Sequence, residues 1–294
     1  MDKRSRLASL FDQHRWGADP ADRDTATMDR TFGLLDPLFG PGRYFRLEVA
    51  GWERLPPPPA MIVSNHSGGT TIPDVWGFAV AWNRHFGRER PCHALGHEMI
   101  FALEPVARFM SQIGAVRASP AAARQVLGAL KRDLLVLPGG DGDTWRPWTE
   151  RYKVRFSGRM GYARMALELG VPIVPMAHAG AHSTLVVLSD GAGLARAMRL
   201  KKLARANIFP VHLSIPWGLT VGPMPHIPLP VTLRYRLGAP VPPPDGPFPD
   251  PDPSPERVAA WDVAVREEIQ AMLTALKQER RRRWRRLMGL KGRG

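Results

Sequence analysis

A histidine and an aspartate carry the first chemistry legible in this chain, within the run Val63-Ser64-Asn65-His66-Ser67-Gly68-Gly69-Thr70-Thr71-Ile72-Pro73-Asp74. An imidazole with one ring nitrogen held by a carboxylate is fixed in one tautomer and made more basic. That suits it to removing a proton from an alcohol. The run follows Ala60-Met61-Ile62-Val63, which reads as a buried strand, and leads into Val75-Trp76-Gly77-Phe78-Ala79-Val80, which has the apolar pattern of a helix. His66 therefore lies on a glycine-bearing loop at a strand end, where α/β folds place their chemistry. On one continuous helix, residues eight positions apart would sit about 12 Å from each other, too far to hydrogen-bond. The segment must bend if His66 and Asp74 are to meet, and Gly68, Gly69 and Pro73 permit it.

Around this pair the sequence predicts alternating strands and helices. A helix is expected over 25–38, strands over 44–49 and 60–63 separated by four prolines, and helices over 74–85 and 99–112. Ser119-Pro120 supplies a cap and a first-turn proline for a helix over 121–130. A strand over 133–137 stops at Pro138-Gly139-Gly140, a helix over 157–169 ends at Gly170, and a strand over 171–176 carries prolines that suggest an edge or a bend. A late strand over 229–237 and a Pro-rich stretch precede a last helix opened by Ser254-Pro255-Glu256. The order implies an α/β fold with a mixed, mostly parallel sheet flanked by helices.

Composition narrows the classes. With 294 residues, 44% of them hydrophobic, the chain can bury a large core, and one large domain is favoured. The single cysteine, Cys92, excludes a disulfide framework and a cysteine-ligated zinc site. The first twenty residues are charged throughout and no run of about eighteen apolar residues occurs, so an intracellular, non-spanning protein is expected. Of the net charge of +14, the stretch 277–293 holds +8, from nine basic residues against Glu279 alone. Such a run is an electrostatic address for a polyanion, and the interleaved Trp284, Leu287, Met288 and Leu290 suit an interfacial helix at a bilayer. At the other end Leu7, Leu10 and Phe11 share a helical face beside Lys3, Arg4 and Arg6, a second bilayer contact or a plain solvated terminus.

Four blocks occur in order: Asn65-His66-Ser67-Gly68-Gly69, Ile113-Gly114-Ala115-Val116-Arg117, Leu137-Pro138-Gly139-Gly140 and Val171-Pro172-Ile173-Val174-Pro175. In order and approximate spacing they resemble the signature blocks of the glycerophospholipid (lysophosphatidate-type) acyltransferase family, over roughly residues 44–241. Several weak motifs in the right order are more specific than any one alone. Segment 213–219, Leu213-Ser214-Ile215-Pro216-Trp217-Gly218-Leu219, is similar to part of a bacterial branch of that family. The resemblance divides the chain into an N-terminal helical segment (1–40), an acyltransferase domain (41–241), and a Pro-rich linker with a basic C-terminal helix (242–294). It implies transfer of a fatty acyl group from acyl-CoA or acyl carrier protein to a glycerolipid hydroxyl, a lysophosphatidate-like acceptor in the first instance. His66 would be the base and Asp74 its partner, with no metal and no cofactor beyond the acyl donor. The expected setting is cytoplasmic and peripheral, on the inner face of an anionic membrane held by the basic tail, with no nucleic acid partner.

Two departures from the family pattern stand out. The usual spacing leaves four residues between histidine and aspartate, which would place Thr71 in the acid position. The usual Pro-Glu-Gly-Thr-Arg run is replaced by Pro138-Gly139-Gly140-Asp141-Gly142, so the glutamate and arginine expected near an acceptor phosphate are missing. Diacylglycerol-type acyltransferases, whose acceptor is neutral, also carry a Pro-Gly-Gly block. Arg117 of the second block, and Arg155 and Arg159 beside the helix expected to start near Ser157, are candidate substrate contacts that would replace the missing charges. Backbone N–H groups at Gly139-Gly140 or Gly68-Gly69 are candidates for the oxyanion site.

Other readings are weaker. His93, His97 and Glu98 have ligand-like spacing but no third ligand is indicated. No Gly-x-Ser-x-Gly elbow supports a serine hydrolase. A basic binding module without catalysis would have no use for a histidine and a carboxylate converging at a strand end.

Overall fold

A computed structural model describes residues 15–197 and 208–288; the apolar face of Leu7, Leu10 and Phe11 and the last six residues of the basic tail lie outside the described residues. Ten strands follow one another along the chain: β1 (Arg46–Ala50), β2 (Met61–Ser64), β3 (Cys92–Gly96), β4 (Ala115–Arg117), β5 (Asp133–Val136), β6 (Ile173–Ala179), β7 (Val186–Ser189), β8 (Val211–Ser214), β9 (Gly218–Val221) and β10 (Thr232–Leu237). The helices are α1 (Thr25–Leu35), α2 (Pro73–Phe86), α3 (Glu104–Gln112), α4 (Pro120–Arg124), α5 (Gly140–Thr144), α6 (Gly161–Leu169), α7 (Ala192–Ala197) and α8 (Pro255–Leu287).

Seven strands form one sheet in the order β1-β10-β6-β2-β5-β3-β4, and β7-β8-β9 form a second, antiparallel sheet. From β6 to β4 all neighbours run parallel, whereas the parallel pair β1–β10 runs opposite to β6. The main sheet is thus mixed and mostly parallel, as the alternation of elements predicts. Alternation within β2 shows how both faces are filled. Met61 and Val63 face a core with α6 and the first half of α8, while Ala60 and Ile62 face a core with α1 and α2. Every residue of β2 and β5 is buried, so both strands carry apolar side chains on either face of the sheet.

The structure departs from expectation in four places. The helix expected over 99–112 is a turn at Glu98–Phe101 followed by α3, and Pro105 sits in the first turn of α3, where its missing N–H costs nothing. The helix expected from 157 begins only at Gly161, because Ser157 at φ 52° and Gly158 at φ 72° turn the chain first. The strand expected near an edge, β6, lies between β10 and β2 in the interior of the sheet. Its Pro175 carbonyl accepts from the Gly238 N–H at 2.8 Å, one residue past the end of β10. Finally, a boundary at 241/242 does not separate two cores. Val258, Trp261, Val265, Ile269, Leu273 and Leu276 of α8 recur every three or four residues and pack into the core that contains β2 and β5.

Candidate active site

Because β2, β3, β4, β5 and β6 are parallel, their C-terminal ends share one edge of the sheet. The Asn65–Gly69 block leaves β2 at that edge. Gly68 (φ 107°), Gly69 (φ 65°) and Ile72 (φ 40°) turn the chain, and Pro73 then starts α2. The turn is tight enough that a Cβ on Gly68 would lie 2.5 Å from Pro73 Cδ. Asp74, on the first turn of α2, is carried back to His66, whose Nδ1 lies 2.6 Å from Asp74 Oδ2. Thr71, the residue at the usual acid position, points elsewhere, with its hydroxyl 3.2 Å from His226 Nε2.

Asp74 is buried and also accepts from the Ser67 N–H at 3.0 Å. Burial alone would push its carboxyl up, but the His66 charge and hydrogen bond, with His178 and the Ser67 amide, outweigh that and hold it below the ordinary carboxylate range. The carboxylate can only accept, so a neutral His66 donates from Nδ1 and leaves its Nε2 lone pair open.

A second histidine is fixed in the opposite sense. His178 Nδ1 donates to the Asn65 carbonyl at 2.8 Å, and its Nε2 accepts from the Ser67 hydroxyl at 2.7 Å. Burial pushes His178 down to about 4, so it stays neutral beside the ionised Asp74. The Asn65 side chain clamps the same strand by accepting from the His178 N–H at 2.9 Å and donating to the His178 carbonyl at 3.0 Å. The Tyr235 hydroxyl of β10 donates to the Asp74 carbonyl at 2.8 Å, which ties α2 to the sheet.

The Pro-Gly-Gly block meets the histidine from the β5 side. Gly139 and Gly140 open α5, whose Asp143 accepts from the His66 backbone N–H at 2.6 Å and pairs with the fully buried Arg146. Burial, then the nearby Arg155, pulls Arg146 down to about 9. A Cβ on Gly139 would lie 2.2 Å from Asp143 Cβ and 2.4 Å from the Arg155 carbonyl, so no larger residue fits there. The Gly140 N–H donates to the Leu137 carbonyl at 3.2 Å, closing the turn.

The arginines read as substrate contacts are already engaged. Arg159 donates to the carbonyls of Pro138 (3.1 Å) and Gly139 (2.9 Å) and pairs with Asp141 at 3.1 Å. Arg155 pairs with Glu150 at 2.5 Å and with Asp190 at 3.4 Å. Arg117 pairs with Glu98 at 2.6 Å and donates to the Trp16 carbonyl at 3.0 Å. It lies on β4, three strands from β2, or about 14 Å at the usual strand spacing. The structure therefore brings together His66, Asp74, Gly139 and Gly140, sets Arg159 behind the Pro-Gly-Gly turn, and leaves Arg117 apart.

Two spaces open on neighbouring elements, neither of them lined by His66 or Asp74. A narrow apolar cavity of about 80 Å³ lies beside α2, lined by Phe32, Val75, Phe78, Trp82, Ala94 and Leu135 among others. A basic groove of about 1020 Å³ is walled by the starts of β1 and β10, the turn after β6 and the end of α8. His93 is buried and His97 caps the following turn by accepting from the Met99 N–H at 3.2 Å. Among the described residues no group of three or more His, Cys, Asp or Glu is placed to hold a metal ion, and no helix is long and apolar enough to cross a membrane.

Residues 46–179, which begin at β1 and end with β6, match the family model described as Acyltransferase. The matched span holds both the His66–Asp74 pair and the Pro-Gly-Gly turn. It is 29% identical over 198 residues to uncharacterized proteins of Mycobacterium tuberculosis and Mycobacterium bovis, covering 67% of this chain and 52% of each of theirs. The chain thus spans about half the length of the curated relatives it matches. It is also 29% identical over 140 residues, 47% of this chain and 40% of the other, to a Gallus gallus protein named DGAT1/2-independent enzyme synthesizing storage lipids. A solved structure, the 1-acyl-sn-glycerophosphate (LPA) acyltransferase PlsC of Thermotoga maritima, aligns with a TM-score of 0.48 at 17% identity, over 94% of this chain and 84% of that one.

Proposed function

We propose that this protein is an O-acyltransferase that moves a fatty acyl group from acyl-CoA or acyl carrier protein to a glycerolipid hydroxyl at an anionic membrane surface on the cytoplasmic side. The observation that carries the reading is the 2.6 Å contact from His66 Nδ1 to Asp74 Oδ2 at the end of β2, within the acyltransferase-type span. In the reaction, His66 Nε2 takes the proton of the acceptor hydroxyl as its oxygen bonds to the thioester carbonyl carbon. The tetrahedral oxyanion then collapses, the carbon–sulfur bond breaks, and the leaving thiolate receives the proton back from His66. Direct transfer of this kind needs no acyl-enzyme.

The resemblance to lysophosphatidate-type enzymes favours a phosphate-bearing acceptor. A second reading, a neutral acceptor such as diacylglycerol or another lipid alcohol, is favoured by a specific observation: Arg117, Arg155 and Arg159 are each paired with a carboxylate of this chain. The Pro-Gly-Gly block and the storage-lipid relative point the same way. Lipid mass spectrometry after incubation with acyl-CoA or acyl carrier protein and a panel of lysophospholipids, glycerides and alcohols tests both. New acylated product from at least one acceptor is expected; no product from any acceptor or donor would overturn the reading.

A further inference from the structure

The small sheet is apolar on both sides. Its inner face packs Leu185, Val187 and Ile208 against Trp145, with His212 turned inward and its Nε2 3.0 Å from the Gly222 carbonyl. On the outer face Leu213 pairs across the strands with Leu219, Val221 lies two residues further along β9, and Ile215 bridges to Ile227. Trp217 sits at the hairpin tip. Leu219 is 65% exposed, Ile227 55% and Trp217 49%. An antiparallel sheet with one solvated face ordinarily alternates apolar and polar residues, and a contiguous exposed apolar surface marks an interaction site.

The position of this face identifies what covers it. The hairpin is locked to the catalytic loop, with the Thr70 hydroxyl donating to the Pro223 carbonyl at 3.0 Å. Segment 227–232 then runs from the apolar face into the wall of the basic groove, which Pro230, Val231 and Thr232 line beside Arg46, Arg234, Lys277, Arg280 and Arg281. An apolar face bordered by cations, at the sheet edge that carries His66, is complementary to an anionic bilayer: apolar side chains enter the acyl boundary by about 5–10 Å while the cations meet headgroup phosphates. We infer that the outer face of β8–β9, with Trp217 and Ile227, is a lipid-docking surface that seats the catalytic edge on an anionic membrane. The inference rests on the acyltransferase reading for its lipid setting, but it concerns which surface touches the bilayer.

Flotation of the full chain with phosphatidylcholine vesicles, with and without phosphatidylglycerol, tests it. Leu219→Glu and Leu213→Glu should each lower the vesicle partition coefficient about tenfold or more, because each places a charge where an apolar side chain was buried in lipid. Leu219→Phe should retain binding, and all three should keep the wild-type melting temperature and turnover on a water-dispersed short-chain substrate. Removing the residues after Gln278 should weaken binding to the phosphatidylglycerol vesicles and leave a Leu219-dependent remainder. Undiminished flotation of both glutamate variants would overturn the inference, as would absence of flotation by the wild type. If Leu219→Glu instead converts a dimer to a monomer in sedimentation velocity while vesicle binding is unchanged, the face binds a second copy of the chain and not lipid. Failure of the acyltransferase reading is separate, since it appears as a lack of acylated product whatever the flotation result.

Discussion

Asp143 Oδ2 accepts the backbone N–H of His66 at 2.6 Å across 77 residues of sequence, so His66 is held through its main chain by the third block as well as through its ring by Asp74. The same carboxylate neutralises the buried Arg146. Asp143→Ala should therefore cost about 3 to 5 kcal/mol, because it leaves a buried cation without its partner. The double change Asp143→Leu with Arg146→Met should recover much of that stability in urea denaturation without restoring turnover. Full recovery of activity by the double variant would show that Asp143 does not position His66.

His66→Ala should lower turnover by about 10²- to 10⁴-fold, the usual contribution of a positioned base, with little change in melting temperature. Asp74→Asn should lose somewhat less, since an amide can still touch Nδ1 but no longer fixes the tautomer by charge. Steady-state rates on any accepted substrate check this; near-wild-type turnover by His66→Ala would exclude the mechanism.

Stability should decline as the pH falls from about 6.5 toward 4. Burial holds His178 at about 4 and His93 and His182 at about 3, all below an unfolded histidine near 6.5. In that window the unfolded chain binds protons that the folded chain does not, which costs up to about 1.4 kcal/mol per pH unit for each histidine. The Asp74 contribution is lost in the same direction, at lower pH, because its folded carboxyl is held below the ordinary range. Melting temperatures between pH 7 and 4.5 should show the slope, and His93→Gln should flatten it. A profile level across this range would contradict the burial of these rings.

Arg159→Ala should lower turnover on neutral and phosphate-bearing acceptors alike, because its guanidinium holds the Pro138 and Gly139 carbonyls of the turn that carries Asp143. Gly140→Ala should act similarly, since a Cβ there would lie 2.3 Å from Arg159 Nη1 at a φ of 51°. Competition between the two acceptor types measures it; a loss confined to the phosphate-bearing acceptor would make Arg159 a substrate contact.

Much of this was legible because β2 and β5 announce themselves by short apolar runs, and α2 by an apolar stretch after Pro73, each bounded by glycine, proline or polar residues. The pairing of His66 with Asp74 was legible against its unusual spacing because the intervening glycines can bend where a helix cannot. Asp143 was not, since nothing in a Gly-Asp-Gly-Asp run says which acid turns inward. The place of His178 beside His66 was not legible: its partners Asn65 and Ser67 lie 113 and 111 residues away, and the β2–β6 register alone brings them together. The pairing of Arg155 and Arg159 escaped because a cation beside a glycine loop looks the same in sequence whether it faces a ligand or its own carboxylate.

The last helix joins two roles that the sequence presents as separate. At 33 residues α8 is about 50 Å long, with Trp261 through Leu276 locked in the core and Arg280 and Arg283 reaching Ser183 and Glu48 at the sheet edge where β6 ends. The basic end is therefore a rigid strut and not a tether. Whatever surface its cations rest on, the height of His66 above that surface is set by the helix, and an insertion of two residues between Leu276 and Arg280 would swing the cations about 200° around the helix axis without unfolding the core.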